Sequence, residues 1–126
     1  MRGERSTAPA DGFLASFVSA SQAVACAVAV QRGLLDYNAS AAAPVAIQVR
    51  IGLGAGEPLA DGEALFGSTV NLAARICASA DPSQILVARV VVDLCTGKPF
   101  VFRRRGEATL KGFAEPVDLY LVDWNG

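Results

Sequence analysis

Apolar residues along this chain fall into blocks of two different periods. "GFLASF" (Gly12–Phe17) alternates apolar and small residues and predicts a strand. "SASQAVACAVAVQRGLLDYNA" then gives a serine start, a long Ala/Val run and a stop near Asn38, which predicts a helix of about five turns. "SAAAP" (Ser40–Pro44) reads as a loop. "VAIQVRIGLGAGE" (Val45–Glu57) alternates Ile47, Val49, Ile51 and Leu53 before ending in glycines, and predicts a long strand. "PLADGEALFGS" is a turn-rich connection, and "EALFGSTVNLAARICASA" (Glu63–Ala80) predicts a second helix. "ADPSQILVA" reads as a turn into a short strand and "RVVVDLCTG" as a short helix ending at Gly97. "FVFRRRG", "EATLKGF" and "VDLYLVDW" are three further strand candidates. Strands alternate with helices early and run consecutively late, so the fold class expected is α+β with a mixed sheet.

The second helix carries Asn71 and Arg75 four residues apart, hence on one face and one turn apart. An amide can both donate to and accept from a sugar, and a guanidinium offers a planar fork to phosphate oxygens. On spacing alone, the pair reads as an Asn near a helix start plus a solvated Arg, since polar pairs at this spacing are common on helices. Lys111, in "TLKGF", is one of two lysines against nine arginines, and by itself it also fits an exposed strand end. Asp11 equally fits a turn.

Composition narrows the chemistry. One domain is expected from 126 residues with no composition shift, and 52% apolar residues are ample for a core. A net charge of −1 leaves no electrostatic footprint for nucleic acid or an anionic membrane. Histidine is absent, so catalysis would run on carboxylates, Arg, Lys, backbone and borrowed metal. Cys26, Cys77 and Cys95 are scattered in apolar surroundings without a CxxC pair, and read as buried free thiols. The longest apolar run, Ala23–Val30, is too short to span a bilayer, and "MRGERSTAPADG" lacks a signal-peptide core. A cytoplasmic protein is expected. "IGLGAG" (Ile51–Gly56) is no phosphate loop, since no Gly-Lys-Ser/Thr follows. Arg103–Arg105 lack aromatic stacking partners and read as a solvated strand end, which also disfavours an RNA-binding module.

Three motifs in order, "DGFLASF", "VRIGLGAGE" and "FGSTVNLAAR", closing with "LKG", resemble the class III nucleotidyl cyclases, the adenylyl and guanylyl cyclase catalytic domain. The resemblance runs from about Asp11 to Trp124 and implies a ferredoxin-like α+β domain. It further implies a phosphorus–oxygen lyase of cyclic-nucleotide signalling, converting a nucleoside triphosphate, ATP ahead of GTP, to a cyclic nucleotide and pyrophosphate. By resemblance two Mg or Mn ions, held by two aspartates, activate the 3′-hydroxyl. Active sites of such domains form at a head-to-tail dimer interface, one subunit giving the aspartates and its partner the Asn and Arg. On that pattern Asn71 orients the ribose, Arg75 stabilises charge on the transferred phosphoryl group, Lys111 contacts the triphosphate and Asp11 binds metal.

The sequence departs from the family pattern in four places. The strand bearing the first metal aspartate has no match, so Asp11 alone would face two cations that each need several oxygen ligands. That strand is interior to the family's sheet, so the expectation is a tight homodimer, a heterodimer with another cyclase domain, or an altered sheet order. The base-reading positions fall at Thr7 and Ala64; Thr7 could hydrogen-bond a base and Ala64 could not through its side chain. Residues 1–10 read as a disordered remnant, with Ala10 where the family has glycine, leaving 11–126 as a partial cyclase domain lacking its first strand and helices. The alternative function is a non-catalytic cyclase-homology module that complements another cyclase.

Overall fold

The computed structural model describes residues 19–40, 45–56 and 62–125, with side chains in the helix that begins at Gly62 described from Val70 onward. Within these stretches the order is α1 (Ala20–Ala39), β1 (Ile51–Leu53), α2 (Gly62–Ser79), β2 (Ile85–Ala88), α3 (Arg89–Leu94), β3 (Phe102–Ala108) and β4 (Val117–Val122). The four strands form one sheet in the order β1-β2-β4-β3, with β1 parallel to β2 and the other neighbours antiparallel. The expected α+β class with a mixed sheet is what the chain adopts. The strand expected at Gly12–Phe17 and the remnant expected at 1–10 lie outside the described residues.

Two apolar layers sandwich the sheet. On one face Val24 and Ala27 of α1 and Val91 and Cys95 of the α3 region meet Ile85, Val87, Val122 and Trp124. On the other, Ile76 and Ala80 at the end of α2 meet Leu86, Ala88, Leu110 and Leu119. β2 is covered on both faces and all four of its residues are buried, which is why "ILVA" reads as a continuous apolar run rather than an alternation.

α1 starts where the Ser19 hydroxyl accepts from the Gln22 amide at 3.3 Å, and ends where the Ser40 amide donates to the Tyr37 carbonyl at 3.0 Å. Its buried stripe is Val24, Ala27 and Gln31, so Cys26 falls on the outer side and is exposed. That corrects the expectation of three buried thiols: Cys95 is buried and Cys77 half-buried. Gln31 is buried because its side-chain amide donates to the Val49 and Gln84 carbonyls at 3.2 and 3.3 Å, tying α1 to the starts of β1 and β2.

Two strand expectations need correction. Among the described residues the strand expected over Val45–Glu57 forms ladder pairs at Ile51–Leu53, opposite the four-residue β2, and Glu57 lies outside them. Upstream, the backbone is held by other means. The Asn38 side chain donates to the Ile47 carbonyl at 2.7 Å and accepts from the Ile47 amide at 2.8 Å, standing in for a paired strand. The candidates "FVFRRRG" and "EATLKGF" are largely one strand, β3. Gly106 (φ +127°) is absorbed as a bulge between the pairs Arg104–Tyr120 and Gly106–Leu119 instead of ending the strand.

Among the described residues no helix is long and apolar enough to cross a membrane.

Candidate functional site

The position of α2 is set by the backbone of β1. A Cβ on Gly52 would collide with the Cys77 amide nitrogen, lie 2.6 Å from the Cys77 Cα and 2.8 Å from the Ala73 carbonyl oxygen. Glycine is therefore required for helix and strand to touch directly. One pleat on, a Cβ on Gly54 would meet Leu72 side-chain carbons at 3.1 and 3.2 Å. The "IGLGAG" run thus seats a helix. The Cys77 thiol donates to the Arg50 carbonyl at 3.3 Å across the same contact. Burial pushes the Cys77 thiol above its ordinary range, against the opposing pull of the Arg50 charge and a backbone hydrogen bond at Gly52.

With Leu72, Ala73, Ile76 and Cys77 turned to the sheet, the opposite face of α2 carries Asn71, Ala74, Arg75 and Ala78, all exposed. Asn71 and Arg75 therefore stand one turn apart on an open face, as their spacing predicts. The Arg75 carbonyl accepts from the Ser79 hydroxyl at 3.2 Å, within the last turn. Lys111 is exposed at the turn leaving β3, where Gly112 takes φ +89° and the Phe113 amide donates to the Leu110 carbonyl at 3.0 Å. Leu110 is buried in the same cluster as Ile76, so this turn is anchored to the α2 layer. Ala64 lies in the first turn of α2, seven positions before Asn71. Thr7 and Asp11 lie outside the described residues.

The amide and guanidinium that share one face of α2 suit an oxygen-rich anion such as a phosphorylated sugar. The acidic side is different. Among the described residues no three of His, Cys, Asp or Glu come together as a metal-binding group, and Asp11 lies outside those residues.

Sequence reasoning missed what the arginine run does. Arg104 Nε lies 2.9 Å from an Asp118 oxygen, without the alignment of a hydrogen bond, and Arg89 lies 3.9 Å from the other oxygen. Arg105, the bulged residue, donates through a terminal guanidinium nitrogen to the Ser79 carbonyl at 2.7 Å. Beside that bond Ser79, Arg105, Gly106, Glu107, Ala108 and Leu119 line an open groove of about 280 Å³. A glycine directly after charged residues in a strand was the available signal for a bulge.

Known proteins share this fold. The profile of the adenylate and guanylate cyclase catalytic domain matches residues 11–123. A Rhizobium meliloti (strain 1021) protein named "Putative adenylate cyclase 3" is 33% identical over 111 residues, 87% of this chain and 19% of that protein. The Mycobacterium tuberculosis protein Rv2212 (strain ATCC 25618 / H37Rv), of uncharacterized function, is 44% identical over 84 residues, 67% of this chain and 21% of its own length. The chain thus spans about a fifth of these relatives. Among solved structures, an adenylate/guanylate cyclase/hydrolase from Silicibacter pomeroyi superposes with a TM-score of 0.69 at 28% identity, over 84% of this chain and 63% of that one. The guanylate cyclase domain of RhGC from Catenaria anguillulae, solved with GTP, shares the fold with a TM-score of 0.61 at 22% identity, over 82% and 58% of the two chains. The chain belongs to the adenylate and guanylate cyclase catalytic domain family.

Proposed function

We propose that this chain is a nucleotidyl cyclase domain that contributes Asn71, Arg75 and Lys111 to a nucleoside triphosphate site completed by a second cyclase domain. That second domain is another copy or a different chain. The observation that carries the reading is the placement of Asn71 and Arg75. They project from the open face of a helix whose inner face is locked to the sheet. A donor face turned outward, away from the chain's own sheet, is what one side of a shared site presents. In this reading Asn71 holds the ribose by donating and accepting, and the planar fork of Arg75 takes charge developing on the transferred phosphoryl group. Lys111, from its glycine-supported turn, supplies a point charge to the triphosphate. Of Ala64 and Thr7, at the base-reading positions, only Thr7 has a side chain that can hydrogen-bond the base, which favours loose base selection. Asp11 is this chain's own candidate carboxylate for Mg or Mn, and no step through metal is assigned to it.

ATP stands ahead of GTP as substrate, supported by the name of the Rhizobium relative. The test is a cyclase assay on the purified chain, with ATP and GTP separately and Mn²⁺, beside an Asn71→Ala/Arg75→Ala control. Cyclic nucleotide formed by the parent should fall by about 10²-fold or more in the control, since one lost donor to a transition-state charge costs on that order. Equal product from both would remove Asn71 and Arg75 from the reaction.

A further inference from the structure

We infer that Arg105 is a positioning residue for Arg75, acting through the last turn of α2. The inference rests on the proposed role of Arg75, but its geometry is independent of it. α2 has no basic residue in its own last turn, so its terminal carbonyls lack the usual local cation. The guanidinium of Arg105 fills that place from β3, donating at 2.7 Å to the carbonyl of Ser79, the helix's last residue. The same residue's hydroxyl donates at 3.2 Å to the Arg75 carbonyl. A two-bond relay, Arg105 to Ser79 to Arg75, thus connects the sheet to the residue that faces the nucleotide in the proposed site.

The bulge is what makes the relay possible. Arg103 pairs opposite Leu121, and Gly106 opposite Leu119, and both β4 residues belong to the layer under α2. Arg104 pairs opposite Tyr120, which packs in the other layer, and joins Asp118 in an ion pair. A regular strand would place the next residue opposite Leu119, but here Arg105 is extra, and Gly106 at φ +127° takes that place. The extra residue is directed to the helix end. Three consecutive arginines therefore have three roles: Arg103 is solvated, Arg104 pairs with a carboxylate, and Arg105 holds a helix terminus.

The test compares the parent with Arg105→Ala and Arg105→Lys, each as the full chain. Amide hydrogen exchange of residues 77–80 should quicken about tenfold in Arg105→Ala, the low end for a lost bond from a charged donor because the side chain is exposed. The NMR signal of the Arg75 Nε–Hε group should move in the same variant, and Arg105→Lys should return both readouts toward the parent. Unchanged exchange at 77–80 overturns the inference, and so does an Arg75 signal that stays put while the helix end loosens. Where turnover is measurable, Arg105→Ala should lower kcat several-fold with little change in KM. A parent with no turnover, alone or with a second cyclase domain, would count against the proposed function while leaving the exchange and NMR outcomes to decide Arg105.

Discussion

The two faces of the sheet are fastened by different means. On the α1 face, side chains reach across to backbone groups. Gln31 bridges two carbonyls, Arg32 Nε donates to the Trp124 carbonyl at 3.0 Å, and the Trp124 indole donates to the Ser83 carbonyl at 3.0 Å. On the α2 face, backbone meets backbone at Gly52, with the Cys77 thiol bonded to the Arg50 carbonyl beside it and Arg105 clamping the helix end. Side-chain bridges can be exchanged one at a time at modest cost. A backbone contact cannot adjust, so it fixes the helix and whatever its far face presents. The candidate site is on the side held by the stiffer device.

Gly52→Ala should break that device most severely. The added methyl meets main-chain atoms on Cys77 and Ala73 that cannot move without the whole helix. The expected loss is about 3 kcal/mol, the upper part of the overpacking range, read from urea denaturation. Gln31→Leu probes the opposite face and should cost about 1–2 kcal/mol. The effect is limited because the Val49 carbonyl keeps the Ser83 amide and the Gln84 carbonyl keeps the Ile51 amide. Gly54→Ala sharpens the comparison within β1. Its methyl crowds the Leu72 side chain, which can give by a few tenths of an ångström, and stands at an ordinary 3.7 Å from the Ala73 amide nitrogen, so the cost should stay below about 1 kcal/mol. A Gly54→Ala loss as large as that of Gly52→Ala would contradict backbone contact as the reason α2 sits where it does.

The smallest effect is a pH dependence shared by both faces. Burial raises Cys77 on the α2 side and Cys95 on the α1 side above the ordinary thiol value of 9.0. The folded state then favours the neutral thiols. Their contribution is fully present below pH 9 and declines as pH rises through that value and the folded-state values above it. Denaturation midpoints measured from pH 7 to 10 should fall at the alkaline end, and Cys77→Ser should lessen the fall.

Much of this was legible in the sequence where local pattern suffices. The Ala/Val run with its serine cap gave α1, the buried "ILVA" gave β2, and the four-residue spacing placed Asn71 and Arg75 on one face. Long-range partners decided the rest. β1 pairs with β2, more than thirty residues on, and the Asn38 side chain holds the residues before it. Gly106 could equally end a strand or bulge within one, and only pairing with β4 distinguishes the two. Arg105 was invisible as a helix anchor because its acceptor, Ser79, is 26 residues away.

The most direct test of the central claim is complementation. A second cyclase domain, with the Asn and Arg of its own corresponding helix replaced by alanine, would be mixed with this chain and assayed with ATP and Mn²⁺. The account predicts cyclic nucleotide from the mixture with the parent chain and none from the mixture with Asn71→Ala/Arg75→Ala. Association confirmed by size-exclusion chromatography, with no product from the parent mixture, would contradict it.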